Sequence, residues 1–107
     1  MTIAEALTNI GCPVCHPPFE GKEKTYITYQ LVGQVGTIYA EGKEAGTGVN
    51  YSVDVWSDAP CIALMLAAKA ALEVGGYIAV VDMEHYDNET RRYHLCLSAT
   101  IAGAVYG

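Results

Sequence analysis

Residues 49–57 read Val49-Asn50-Tyr51-Ser52-Val53-Asp54-Val55-Trp56-Ser57. Val49, Tyr51, Val53 and Val55 alternate with Asn50, Ser52 and Asp54, the period of a strand with one buried face. The period then changes. Apolar residues recur at three and four from Cys61 to Leu72, Pro60 stands near the start and Gly75-Gly76 at the end. This predicts a helix capped by Ser57 or Asp58, with Pro60 in its first turn. Alternation resumes in Tyr77 to Tyr86 and Arg91 to Ala102 on either side of Asp87-Asn88-Glu89-Thr90, so an antiparallel hairpin follows.

Working back from Val49, the glycines at 33, 36, 42, 46 and 48 punctuate a segment that still holds Val35, Thr37, Ile38 and Tyr39. An extended hairpin with a flexible Glu41 to Gly46 tip is expected. Tyr26 to Val32 is β-branched, aromatic or aliphatic and reads as a strand. Three prolines and two glycines between Gly11 and Lys24 exclude regular structure, which predicts a long loop. Thr2-Ile3-Ala4-Glu5 has the form of a capping box and starts a short helix to about Asn9, stopped by Gly11. The expected fold class is α+β: an antiparallel (mixed) sheet of about four to five strands with two helices on one face. The order is α-β-β-β-α-β-β, and one domain spans 1–107.

A chain of 107 residues that is 51% hydrophobic and 17% charged is globular rather than disordered. Six Lys and Arg against twelve Asp and Glu give a net charge of -6. With only the Arg91-Arg92 pair as a basic cluster, gripping phosphates is not the expected task. The first residues lack a basic region followed by an apolar one, and no long uninterrupted apolar span occurs, so neither export nor membrane insertion is expected. The four cysteines are then expected as reduced thiols.

On a helical wheel, Cys61, Leu64, Met65, Ala68 and Leu72 form a core stripe. Asp58, Ile62, Leu66, Lys69 and Glu73 share the opposite sector, which sets two large aliphatics among charges. Either another loop covers Ile62 and Leu66, or they form a contact between subunits. Eight tyrosines in so short a chain also suit an interface, although strands favour them too. Tyr39, near the hairpin tip, is expected outside the core.

Candidate chemistry is sparse. Cys12-Pro13-Val14-Cys15-His16 matches the C-x-x-C-H pattern of haem attachment and of redox or zinc loops. It lies before a proline pair in a loop, with no second C-x-x-C elsewhere, so packed thiols are the plainer reading. Pairing Tyr86 with Arg91 sets His85 opposite Arg92 and His94 opposite Met83. The two imidazoles then lie diagonally on one sheet face, roughly 7 Å apart at Cα. With Cys96 they make a candidate metal group, opposed by the neighbouring arginine. Asp82 and Glu84, on the other face, are a candidate acid/base pair. No phosphate loop, nucleophile elbow or Ser/His/Asp set is present. Neither a catalytic function nor a cofactor is expected.

Three stretches carry a resemblance to a known family. They are Cys12-Pro13-Val14 followed by Thr25-Tyr26-Ile27-Thr28-Tyr29, then Tyr51 to Ser57, then Asp82 to His94. Together they resemble the tail terminator, or tail-completion, proteins of long-tailed bacteriophages and prophages. The long Gly33 to Gly48 segment and the C-x-x-C-H depart from that pattern. The resemblance implies a structural virion protein, assembled in the bacterial host cytoplasm. Its ring, usually six-fold, caps the finished tail tube and meets the head-tail connector. It implies as partners other copies of the chain, the tube protein and the connector protein, with DNA only passing through an acidic lumen. On this reading Ile62, Leu66, Lys69 and Glu73 form the subunit contact. Tyr39, Glu41, Lys43, Glu44, Phe19 and Lys22 lie in the loops expected to meet tube or connector. The alternatives are a head-side completion protein of the same phage and a small metal-binding or redox domain built on the C-x-x-C-H loop.

Overall fold

A computed structural model describes residues 1–40 and 43–102, with side chains described outside 34–47 and 102. Thr2 caps helix α1 (Ile3–Ala6) with the expected box: its Oγ1 accepts from Glu5 N at 3.1 Å, and Glu5 Oε1 accepts from Thr2 N at 3.0 Å. The helix ends before Asn9, and turns carry the chain to Gly11, whose φ is +93°. Inside the segment read as loop lies a two-residue strand, β1 (Val14–Cys15), parallel to the start of β2 (Tyr26–Ala40). Pro13 accepts from Ile27 N at 2.8 Å, so the proline's carbonyl serves the ladder although its nitrogen cannot.

The glycine-punctuated segment is part of a long hairpin, as expected. β2 pairs antiparallel with β3 (Lys43–Ser57), with irregularities between Leu31 and Gly33 and again between Val35 and Tyr39. Of the expected Glu41 to Gly46 tip, Glu41 and Gly42 lie outside the described residues, and Lys43 to Gly46 belong to β3 instead, with pairing from Ala40 opposite Lys43.

Helix α2 (Ile62–Val74) begins later than its polar residues suggest. Cys61 is its N-cap, without a side-chain bond, and Pro60 precedes the helix. Ser57 belongs to the end of β3 instead, where its Oγ accepts from Ala59 N at 3.2 Å and pairs with Thr25 Oγ1 at 3.0 Å. At the other end the two glycines act for different reasons. A Cβ on Gly75 would stand 2.9 Å from the Ala6 Cβ, a close approach of the two helices, whereas Gly76 has a φ of +96°.

Strands β4 (Ile78–Asp87) and β5 (Arg92–Ala102) complete a five-stranded sheet of order β1-β2-β3-β5-β4. Their register differs from the expected one by two residues. Asp87 faces Arg92, and His85 faces His94. Arg91, at φ 57°, takes up the left-handed position that closes the loop, and Asp87 Oδ1 accepts from Glu89 N at 2.9 Å. A bulge at Asp82, between Val81 opposite Leu97 and Met83 opposite Cys96, takes the offset back to one residue along the rest of β4.

Both helices cover one sheet face. Ile3, Leu7, Met65, Ala68 and Leu72 pack with Ile27, Val49, Tyr51, Val53, Val55, Leu95, Leu97 and Ala99 into a single core. Leu64 is half-buried beside it. The alternation in residues 49–55 therefore reports a true inside and outside. The fold is α+β with a mixed sheet, which among the described residues is parallel only where β1 meets β2.

Candidate functional site

Two surfaces remain after the core is accounted for. The first is apolar and lies on α2 and along the sheet margins. Ile62 and Leu66, one turn apart, are 50% and 54% exposed, so no loop among the described residues covers them. Beside them Lys69 Nζ meets Glu73 Oε2 at 3.1 Å, an i,i+4 pair on the helix surface. β4 is an edge strand, and Ile78, Val80, Val81 and Met83 along it are exposed. At the opposite margin β1 pairs only with Ile27 and Thr28, and Leu31 and Val32 farther along β2 are exposed. Unpaired strand edges with exposed aliphatics are templates for pairing with another chain.

The second surface is the sheet face that no helix among the described residues covers. Strand pairing places Trp56 beside His94, Asp54 beside Cys96 and Ser52 beside Ser98. The Trp56 and His94 rings stack at 3.8 Å and 6°, and Trp56 Nε1–H donates to Thr28 Oγ1 at 3.1 Å. Phe19 stacks on Tyr26 at 4.1 Å, and Tyr26 lies 6.3 Å from Trp56, so aromatic rings run from the first loop across β2 and β3 to β5. Arg92 sits 5.7 Å over the Tyr26 ring and donates to the Lys24 carbonyl at 3.2 Å. Beneath this cover Asp54 is only 8% exposed. Its Oδ1 is 2.8 Å from His94 Nε2, and its Oδ2 accepts from Ser52 Oγ at 3.2 Å. Cys96 Sγ is 3.3 Å from the same His94 nitrogen. Burial first, then a hydrogen bond to Asp54 and the charges of Asp54 and Asp82, push the Cys96 thiol up to about 12.

The chemistry read from the sequence is thus redistributed. His85 stands directly across from His94 but is not part of the close group; Asp54 takes the place expected for it. Arg92, expected to oppose a cation there, points to Tyr26 and Lys24 instead. Asp82 and Glu84 do not form a pair on one face. The bulge turns Asp82 to accept from Ser98 Oγ at 2.6 Å on the uncovered face, while Glu84 stands opposite the core residue Leu95. Among the described residues, Asp54, His94 and Cys96 are the His/Cys/Asp/Glu group whose ligand atoms converge, and Cys12, Cys15 and His16 are not. Cys15 lies in β1, His16 packs on Tyr29 with ring centroids 4.3 Å apart, and burial raises the Cys12 thiol. Asp54 went unnoticed because it fills an ordinary polar position in an alternating strand. A carboxylate between two core valines was the available signal.

Of the residues expected to meet tube or connector, Phe19 is held against Tyr26 and Lys22 is exposed. The side chains of Tyr39, Lys43 and Glu44, and all of Glu41, lie outside what the structure describes. Among the described residues no helix is long and apolar enough to cross a membrane. No protein-family model matches the chain, and no curated protein matches it.

Proposed function

We propose that this chain is a structural protein that joins copies of itself into a closed ring, and that the ring caps the tail tube of a long-tailed phage and offers the head-joining surface. The observation that carries the self-assembly is the pair of dissimilar free margins. β4 with Ile78, Val80 and Met83 lies at one side of the sheet, and β2 with Leu31 and Val32 at the other. A contact between two different patches is heterologous, and when its rotation closes it generates a ring. Ile62 and Leu66 add an apolar patch on the helix layer, suited to the same contact. The tail-terminator role rests on the resemblance of the Cys12-Pro13-Val14, Tyr51 to Ser57 and Asp82 to His94 stretches, and the α+β order is compatible with it. A net charge of -6 suits a lumen through which DNA passes without adhering. The ring, with six copies expected, would then sit in the virion at the head-tail junction with tube and connector proteins as neighbours.

Light scattering behind size exclusion over a wide concentration range, with negative-stain images of any large species, tests the proposal. Closed rings, or sedimentation with purified tail tubes, are the expected results. A protein that stays monomeric at every concentration and also fails to sediment with tubes overturns it.

A further inference from the structure

The β3–β5 register brings Asp54, His94 and Cys96 together on the uncovered face, with Asp54 directly beside Cys96 and His94 two positions along β5. Nε2 of His94 approaches Asp54 Oδ1 at 2.8 Å and Cys96 Sγ at 3.3 Å, and all three donor atoms lie within 4.8 Å of one another. The three side chains bring an imidazole nitrogen, a carboxylate oxygen and a sulfur to one point, and a cation placed there would engage all of them. We propose that Asp54, His94 and Cys96 bind a zinc-class divalent ion, one ligand from β3 and two from β5, with water in the fourth position.

The donor set favours this class of metal. Nitrogen, carboxylate oxygen and thiolate sulfur together suit zinc, whereas calcium and magnesium take oxygen alone. Tetrahedral zinc needs about 3.3 Å between nitrogen and oxygen ligands and about 3.5 Å between nitrogen and sulfur. The nitrogen–oxygen and nitrogen–sulfur separations therefore open by roughly half an ångström or less, within the reach of small side-chain rotations. The ligands are also held from behind. Ser52 Oγ donates to the second oxygen of Asp54, and the Trp56 indole, fixed by its bond to Thr28, keeps the imidazole plane in place. On binding, the Cys96 thiol proton passes to solvent, and thiolate and carboxylate together balance the two charges of the ion. The ion would tie β3 to β5, two neighbouring inner strands, on the face that no described helix covers. This site is independent of ring formation.

Cobalt(II) titration of the purified full chain tests the proposal. A sulfur-to-cobalt charge-transfer band with tetrahedral visible bands, saturating at one ion per chain, is expected. Trp56, the single tryptophan, should report zinc binding by fluorescence. Cys96→Ser, nearly isosteric and checked for folding by circular dichroism, should remove the charge-transfer band and weaken binding by more than ~100-fold. His94→Gln should weaken binding similarly, and the double variant C12S/C15S should leave it unchanged. Absence of the band at saturating cobalt in the native protein overturns the proposal. So does a band that survives Cys96→Ser and disappears in C12S/C15S.

Discussion

Replacing Leu66 by glutamate separates assembly from folding. Leu66 is 54% exposed, so covering its free half in a contact would contribute about 1 kcal/mol. A carboxylate left in that contact without a partner adds a penalty of about 3 kcal/mol. The sum, about 4 kcal/mol for each contact, is ~1000-fold in the association constant, and every contact of a ring carries it. The isolated fold should hardly respond. Leucine and glutamate have similar helix propensity, and at a half-exposed position the carboxylate of the isolated chain stays hydrated. A loss within about 1 kcal/mol moves the melting temperature of a chain this size by roughly 5 °C or less. Sedimentation velocity across concentrations, paired with thermal melts by circular dichroism, reads both quantities. If Leu66→Glu assembles as the native chain does, the helix face is not a subunit contact. A melting temperature lowered well beyond that range would mean that Leu66 belongs to the core.

Val80→Lys places a charge on the exposed edge strand and should reduce self-association in the same sedimentation assay with an unchanged melt; unaltered association removes the β4 margin from the interface. Gly75→Ala should cost about 1–3 kcal/mol in urea denaturation, because its new methyl meets the Ala6 Cβ at 2.9 Å, and a neutral result would deny the close helix approach. Tyr77 is buried and donates to the Met1 carbonyl at 2.7 Å. Burial, with smaller effects of Tyr51, Glu5 and Tyr29, holds its hydroxyl up to about 12. The unfolded chain releases that proton near pH 10, so the stability it contributes is complete below about pH 10 and is lost as pH rises towards about 12, by roughly 2–3 kcal/mol. Tyr77→Phe should flatten that alkaline loss in denaturant titrations, and an unchanged slope refutes the assignment.

The core was readable because a period of two or of 3.6 is a local property. Val49 to Val55 and the Cys61 to Leu72 stripe each state which residues turn inward, and the structure buries them together. The capping box at Thr2 and Glu5 was equally local. The start of α2 was not, since Ser57 had a competing partner in Thr25, thirty-two positions away in the chain. The β4–β5 register is not legible locally, because Arg91 adopts a left-handed conformation that its residue type does not signal and the bulge at Asp82 is set in the pairing with β5. The candidate metal group was half legible. His94 and Cys96 share a face by alternation alone, but their third partner lies across the β3–β5 pairing.

By itself, then, the order of residues determined the α+β class and the inward faces, because burial patterns repeat within a few residues along the chain. Tertiary structure alone decided which edges of the sheet stay unpaired and that Asp54, rather than His85, closes on His94 and Cys96. Strand order and cross-strand register are set by the joint packing of distant segments, and no local spacing carries that information.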